Sequence, residues 1–229
     1  MPNASALSQR RTAVDDVFDS LHEQITTLEL KPGDRISEAD IAAKFGISRQ
    51  PVRDAFSRLA NLDLILIRPQ RATEVRRFSM REIEKARFVR ASVEKEVLRI
   101  ASRLCDDAGA NLLKAELQKQ EKTVADKDVE SFGKLDYQFH ETICQIAGLD
   151  FIYDVILEAK AKVDRLCLLG LSKEQRLPDL LSDHEAIAQA IIDHDAEAAT
   201  VAGERHLARL DDTIERISTT NASYFERED

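Results

Sequence analysis

The sequence predicts a mainly α-helical protein of two domains, the second of which is an antiparallel helical bundle. First, the 229 residues include only 7 Gly and 5 Pro, which leaves few tight turns. Second, 43% of the residues are hydrophobic and recur at helical spacing along most of the chain, enough to bury a core. Third, residues 1–78 hold 12 basic and 11 acidic side chains, whereas residues 79–229 hold 21 and 31. The two parts are therefore expected to have different roles.

The composition argues against a membrane protein. Charged residues make up 33% of the chain, and no apolar run reaches the roughly 18 to 20 residues that a membrane-spanning helix needs. Residues 1–11 are polar and lack the apolar core of a secretory signal. We therefore expect a cytoplasmic protein with no membrane partner.

Three short helices are predicted in the first domain. Apolar residues spaced by three and four predict the first helix over residues 14–28, and a Pro-Gly pair follows it. Ser37 is expected to cap a second, short helix that ends at Gly46. Ser48 is expected to cap the third helix. The apolar stripe that we expect that helix to bury consists of Val52, Ala55, Phe56, Leu59 and Leu62.

Two strand-like runs follow the third helix. Residues 64–68 and 73–76 are joined by residues 69–72 and predict a small hairpin, or wing. Two short helices that meet at a Gly-containing turn and precede a wing are typical of a winged helix-turn-helix, which we place at residues 10–78. In that fold the N-terminal turn of the third helix enters the major groove of double-stranded DNA, and the wing reaches the flanking backbone.

The charge of this segment supports the DNA-binding interpretation. Residues 31–78 hold 10 basic and 6 acidic side chains, and eight of the ten are Arg, which suits bidentate contacts with phosphate and guanine. The alternative is that these arginines line the solvated face of a small domain that has no nucleic-acid partner.

Two stretches, LKPGDRISE at residues 30–38 and ISRQPVRDA at residues 47–55, resemble the DNA-binding domain of GntR-family transcription regulators. The resemblance implies a winged helix in which Arg49 and Arg53 contact DNA and Arg71 serves at the wing tip. Together with their neighbours, the candidate DNA-binding residues are Arg35, Ser48, Arg49, Gln50, Arg53 and Arg71.

The chain departs from the family pattern at two positions of this domain. Ala39 stands where many members place an arginine that contacts DNA, and Ala72 stands in place of the usual wing glycine. The first change removes a side chain that could read a base. The second removes the residue that most easily adopts unusual turn geometries.

From residue 79 onward the pattern is helical. No strand pattern occurs, and the next proline is Pro178. Helices with short connections predict an antiparallel six-helix bundle over residues 79–220, whose centre is a natural ligand site. We expect residues 221–229 to be disordered. The helices are predicted at residues 79–104, 107–126, 128–147, 150–171, 177–193 and 195–219.

Four ionisable residues take inward positions in this bundle. Asp136 and His140 are four residues apart on one helix and project from nearly the same face. His184 and His206 lie on the apolar stripes of two later helices. One carboxylate and three imidazoles suit a divalent metal ion, with zinc as the first choice and nickel or manganese as alternatives. Each histidine taken alone has another interpretation, a buried ring that hydrogen-bonds a backbone carbonyl.

The Asp-x-x-x-His motif with its two later histidines resembles the FCD effector domain of the FadR subfamily of GntR regulators. The resemblance covers residues 80–217 and implies a helical bundle whose metal helps to bind small carboxylates. The resemblance also implies that Arg90 is a candidate to bind the carboxylate of the effector, and the nearby Arg87 is a second candidate. Because both share a helix face with Glu94, an internal salt bridge would use them equally well. The metal ligands that the resemblance implies are Asp136, His140, His184 and His206.

These observations favour a ligand-responsive transcription regulator, which we expect to be a repressor that responds to a small organic or sugar acid. We also expect a homodimer on a pseudo-palindromic operator, because two-fold symmetry doubles the contacts of one winged helix. A helical metalloenzyme is the first alternative, but no histidine has Glu three residues before it and no H-E-x-x-H motif occurs. A bundle with a purely structural metal is the second.

Overall fold

The computed structural model describes residues 12–68, 71–167 and 176–226. The chain forms two compact units. The first, called the N-terminal domain here, comprises Met1–Phe78 together with Ser223–Asp229, and the second, the helical domain, comprises Ser79–Ala222. In the described ranges, every helix is too short or too polar to cross a lipid bilayer.

The described part of the N-terminal domain is a winged helix-turn-helix with a small antiparallel sheet. Its elements are α1 (Ala13–Thr26), β1 (Arg35–Ile36), α2 (Glu38–Phe45), α3 (Arg49–Asn61), β2 (Ile65–Leu66) and β3 (Thr73–Val75). The sheet has the order β1-β3-β2, with Arg35 opposite Glu74 and Ile65 opposite Val75. Strand β1 was not predicted, because two residues are too few to show an alternating pattern.

The turn between α2 and α3 sets the position of the third helix. The hydroxyl of Ser37 accepts a hydrogen bond from the backbone N–H of Asp40, which confirms the predicted cap of α2. Gly46 ends α2 in the left-handed region with φ of 66°, which glycine adopts without strain. Ser48 occupies the cap position of α3, but its side chain makes no capping hydrogen bond, so that part of the prediction is wrong.

Helices α1 and α3 pack against each other to form the core of the N-terminal domain. The sheet closes this core, since one side chain from each strand is buried in it: Ile36, Ile65 and Val75. This packing leaves the opposite face of α3 at the surface. The buried side chains of the two helices are Val17, Leu21, Ile25, Val52, Ala55, Phe56 and Leu59.

The last described residues belong to the N-terminal domain. The backbone N–H of Phe78 donates to the carbonyl of Tyr224, and the N–H of Glu226 donates to the carbonyl of Phe78, each at 2.8 Å. Phe78 thus forms a parallel β-bridge with Phe225, and their two rings, both buried, lie 5.6 Å apart between centroids. The expectation that residues 221–229 are disordered is wrong as far as Glu226, because backbone pairing depends little on side-chain pattern.

The helical domain has the predicted architecture of packed α-helices. The predicted helix at 195–219 is two helices, which are separated at Arg209 and Leu210. The predicted helix at 150–171 is helical as far as Cys167, and residues 168–171 lie outside the described ranges. The elements are α4 (Met80–Leu104), α5 (Asp107–Ala125), α6 (Val129–Ile146), α7 (Asp150–Cys167), α8 (Leu177–Ile192), α9 (Ala196–Ala208) and α10 (Asp211–Thr220).

The core of the helical domain brings its polar site together. Helix α4 packs against α7 and α9, helix α8 packs against α5 and α9, and α5 packs against α6. Apolar side chains such as Leu113, Phe139 and Ile187 fill the space between these helices. The buried acidic and imidazole side chains on α6, α8 and α9 therefore have protein on every side but that of an adjoining cavity.

Candidate metal centre and DNA-binding surface

Helix α6 supplies two of the four candidate metal ligands. Asp136 and His140 lie one turn apart on its buried face, in line with the apolar side chains Phe132, Phe139 and Ile143. This is the arrangement that their four-residue spacing predicted. Both side chains are buried, so their polar atoms need partners within the protein.

Helices α8 and α9 complete the cluster with His184 and His206, which are also buried. The ring centroid of His184 lies 4.7 Å from that of His206 and 5.8 Å from that of His140. One ligand atom from each of these histidines and one from Asp136 all lie within 4.8 Å of one another. The structure thus brings together all four residues that the sequence singled out.

The chemistry of the cluster fits a divalent ion. In the described part of the chain, Nε2 of His140, Nε2 of His184 and Nδ1 of His206 are buried without a hydrogen-bond partner. Burial lowers the pKa of His184 to about 4, so its ring is neutral near pH 7. A neutral imidazole is the form that ligates a metal. Unpaired buried nitrogens are unfavourable, and a shared cation would satisfy the Nε2 atoms of His140 and His184.

The carboxylate of Asp136 carries the negative charge of the cluster. Burial opposes its ionisation, but the ammonium of Lys160 at 2.7 Å holds the pKa of Asp136 well below its usual range. Lys160 is itself buried, and its ammonium lies 4.1 Å from the centroid of the Tyr137 ring. Sequence reasoning missed this lysine, because lysine in a helix ordinarily indicates a solvated face.

Two of the imidazoles are held at the ring nitrogen that faces away from the cluster. Nδ1 of His140 lies 3.0 Å from Oε2 of Glu94. Nδ1 of His184 lies 2.7 Å from Oε1 of Gln120, a fully buried side chain on α5. Partners of this kind orient metal-binding histidines in many proteins.

Asp183 holds the third imidazole from the side. Its carboxylate is fully buried, and Oδ2 lies 3.8 Å from Nδ1 of His206. Arg205 and Arg209 donate hydrogen bonds to the same carboxylate. Although burial opposes ionisation, the nearby His206 ring and the guanidinium of Arg209 keep the pKa of Asp183 well below its usual range.

A cavity adjoins the cluster. Its volume is about 760 Å³, including a part that is open to solvent. Asp136 and His206 belong to both the cluster and the cavity wall. The other lining residues combine three cationic side chains, Arg90, Lys160 and Arg176, with apolar and small ones: Val129, Phe132, Gly133, Leu177, Leu180, Leu207 and Leu210.

The two arginines considered for the effector occupy different positions. Arg90 is buried, lines the cavity and donates from Nε to Oε1 of Glu94 at 2.7 Å. It therefore takes part in the salt bridge that the sequence offered as an alternative and also faces the cavity. Arg87 pairs instead with Asp211 on α10 and is not among the described residues that line the cavity.

The candidate DNA-binding residues lie on the surface of the N-terminal domain. Arg35 is exposed on β1, and Arg71 is exposed beside residues 69–70, the part of the wing that lies outside the described ranges. Within the helix, Gln50 donates a hydrogen bond to Asp54, one turn further along, at 2.9 Å. The exposed candidates at the start of α3 are Ser48, Arg49, Gln50 and Arg53.

Comparisons with known protein families agree with this architecture. Residues 13–75 match the domain described as "Bacterial regulatory proteins, gntR family", and residues 86–209 match the FCD domain. The chain belongs to the GntR family. The FCD match spans the metal cluster and most of the cavity lining, and the match in the N-terminal domain contains α2 and α3.

Individual relatives of this GntR-family chain are transcription regulators. The HTH-type transcriptional repressor RspR of Escherichia coli K12 is 31% identical over 212 residues, which is 93% of each chain. The gluconate operon transcriptional repressor of Bacillus licheniformis is 27% identical over 81% of this chain and 77% of its own. Among solved structures, Escherichia coli McbR/YncC superposes with a TM-score of 0.67 at 17% identity, over 90% of this chain and 99% of its own, which shows the shared fold.

These findings decide between the functional classes that the sequence left open. The family and the relatives are transcription regulators and not enzymes, so the metalloenzyme alternative is set aside. The GntR-family chain is a transcription regulator whose relatives include repressors. Its helical domain contains the FCD domain, which matches residues 86–209.

Proposed function

We propose that this GntR-family chain is a cytoplasmic repressor that binds a pseudo-palindromic operator as a homodimer and responds to a small carboxylate at a metal site. The observation that carries the proposal is the shared wall between the metal cluster and the cavity, to which Asp136 and His206 both belong. A ligand in the cavity therefore reaches the metal ligands themselves. A purely structural metal would need no such opening.

The surface at the start of α3 supports operator binding. Arg49 and Arg53 are one turn apart and exposed, and the hydroxyl of Ser48 is not used as a helix cap. In winged helix-turn-helix domains this turn contacts base edges, while cations elsewhere contact phosphate. Arg35 and Arg71, which are exposed on β1 and the wing, are assigned to the flanking backbone.

The proposed homodimer rests on symmetry and on apolar surface. One winged helix covers only a few base pairs, so a two-fold pair of domains is needed for a specific operator. In the helical domain, Phe88 and Phe151 expose 73% and 70% of their surface. Large exposed aromatic side chains are typical of contacts between proteins.

The effector is proposed to be an organic or sugar acid. Asp136, His140, His184 and His206 would hold the divalent ion, with zinc as the first candidate and nickel or manganese as alternatives. When bound, such an ion offers its remaining coordination positions to carboxylate oxygens. Arg90 and Lys160 place positive charge on the cavity wall, whereas Arg87 lies outside that wall. The relative named for the gluconate operon supports a sugar acid.

The proposal is tested with full-length protein and an operator selected from a random DNA pool. Operator affinity is measured by fluorescence anisotropy, with zinc or with chelator, in the presence of candidate carboxylates. We expect at least one acid to change the affinity about 5- to 150-fold in the metal-loaded protein, the usual range of allosteric coupling. His184→Ala and His206→Ala should lose zinc and the response to the acid, but they should retain operator binding.

Two results would contradict parts of the proposal. If the metal-free protein responded to the acid as the loaded protein does, the metal would be structural. If selection from the random pool enriched no DNA sequence, the assignment of α3 as the helix that contacts the bases would be wrong. Circular dichroism of each variant shows whether it has folded, so that a folding failure is not taken for a binding defect.

A further inference from the structure

We propose that Gln120 is a positioning residue that selects the tautomer of His184 and thereby sets the metal affinity of the cluster. The inference rests on the metal site of the proposed function and adds a residue on a helix, α5, that supplies no ligand. Gln120 is fully buried, and Oε1 of its amide lies 2.7 Å from Nδ1 of His184.

The orientation of the amide follows from its second contact. Nε2 of Gln120 donates a hydrogen bond to the backbone carbonyl of Leu135 at 3.4 Å. An amide nitrogen can only donate and a carbonyl can only accept, so Oε1 is the atom that faces His184. Nδ1 of His184 must then carry the hydrogen, and the lone pair of the neutral ring is on Nε2. That nitrogen faces Asp136, with Oδ1 at 3.3 Å.

Packing alone does not choose this orientation. The ring of His184 stacks on that of Phe139, with centroids 4.4 Å apart and planes 22° apart, and it lies nearly parallel to Phe132. Stacking fixes the plane of an imidazole, but a half-turn about the Cβ–Cγ bond leaves that plane unchanged. Only a hydrogen-bond partner can distinguish the two edges of the ring, and Gln120 is the partner at the edge opposite the cluster.

The three imidazoles do not all have the same kind of partner, since two lie beside a carboxylate and one beside an amide. Glu94 faces His140 and Asp183 lies beside His206, and both of these are carboxylates. Gln120 is neutral, so it fixes the hydrogen of His184 without adding a negative charge. A carboxylate partner raises the basicity of a ligating histidine. The amide therefore makes His184 a correctly oriented ligand of moderate basicity.

The experiment compares Gln120→Leu and Gln120→Glu with the wild-type protein, using Gln118→Leu as the control, since Gln118 is exposed on the same helix. Zinc affinity is measured by competition with a chromogenic chelator. The tautomer of His184 in metal-free protein is measured from its side-chain nitrogen shifts by NMR. We expect Gln120→Leu to bind zinc about 10- to 100-fold more weakly and to lose the Nδ1–H tautomer. Gln120→Glu should keep that tautomer and bind zinc at least ten times more tightly than Gln120→Leu. Gln118→Leu should match the wild type.

Three results separate the possible failures. Wild-type zinc affinity in Gln120→Leu would overturn the inference, and so would weaker zinc binding with an unchanged tautomer, which would indicate a packing role. If Gln120→Leu did not fold, a shift to the Nε2–H tautomer in Gln120→Glu would overturn it instead. If the wild type bound no zinc, the proposed metal site would be wrong, but the NMR measurement on metal-free protein would still decide whether Gln120 sets the tautomer.

Discussion

Nη2 of Arg53 lies 3.2 Å from Oε2 of Glu38, so an arginine in the first turns of α3 is paired with the first residue of α2. The two side chains are 58% and 32% exposed, and a pair of this kind contributes at most about 1 kcal/mol to stability. In the proposed complex with the operator, a phosphate or base must compete with Glu38 for the guanidinium of Arg53. Arg49 has no ion pair in the described structure and meets no such competition.

The first prediction concerns these two arginines. Arg49→Ala should weaken operator binding by about 1 to 3 kcal/mol if the side chain reads a base, and Arg53→Ala by less. Glu38→Gln should strengthen binding, because it removes the competitor of Arg53. Fluorescence anisotropy titrations at one fixed salt concentration measure the operator affinity of all three variants. Arg103→Ala in the helical domain is the control, because it removes one positive charge away from α3. Unchanged affinity in both arginine variants would remove α3 as the reading helix.

The second prediction separates Arg90 from Arg87. Arg90→Lys keeps a positive charge beside buried Glu94 but loses the forked guanidinium, so we expect the effector to bind at least about tenfold more weakly. Arg87→Lys is the control, since Arg87 lies on the same helix outside the cavity lining. Calorimetric titration of zinc-loaded protein with the acid gives both affinities. Equal losses in the two variants would show that the cavity wall at Arg90 does not bind the carboxylate.

A third prediction uses a glycine in the cavity wall. Gly133 lies inside α6, and a Cβ placed on it would have no described heavy atom within 4 Å. Gly133→Ala should therefore stabilise the helix by about 0.5 to 1 kcal/mol, measured by denaturant unfolding. Gly133→Leu should fill the cavity and abolish the response to the acid, while zinc and operator binding are retained. Gln138→Leu, at an exposed position of the same helix, should leave the response intact. A full response in Gly133→Leu would place the effector elsewhere.

The fourth prediction tests the contact between Phe78 and Phe225. Phe225→Ala should destabilise the N-terminal domain by about 2 to 4 kcal/mol, because it removes a buried ring at the edge of that domain. Glu226→Gln removes only a partly exposed ion pair with Arg76 and should change stability by less than about 1 kcal/mol. Thermal unfolding followed by circular dichroism, together with operator binding, measures both. Equal stability of Phe225→Ala and the wild type would show that the bridge contributes nothing.

Sequence patterns were sufficient where a property repeats along the chain. The helices of both domains follow from apolar spacing, because a buried stripe must recur every three or four residues to face the core. The same reasoning placed Asp136 and His140 on one face of α6. The break at Arg209 and Leu210 was missed, because neither glycine nor proline marks it and the apolar stripe continues into α10.

Features that depend on a single side chain or on backbone pairing were beyond sequence reasoning. Gln120 and Lys160 lie in otherwise ordinary helical segments, and their roles arise only from the packing of α5 and α7 against other helices. The β-bridge at Phe78 joins residues almost 150 positions apart in the chain. Its hydrogen bonds are made by backbone atoms, which are the same in almost every residue, so no sequence pattern indicates them. Such contacts are visible only in the folded chain.

The pairing of Phe78 with residues 224–226 also affects the order in which the two domains can be completed during synthesis. The ribosome delivers α1 to β3 early, but the segment that completes the edge of their domain emerges only after the whole helical domain has been translated. Domains generally fold as units, and the N-terminal one usually folds first during synthesis. The N-terminal domain, which the proposal assigns to DNA binding, is therefore complete only after the helical domain has been synthesised.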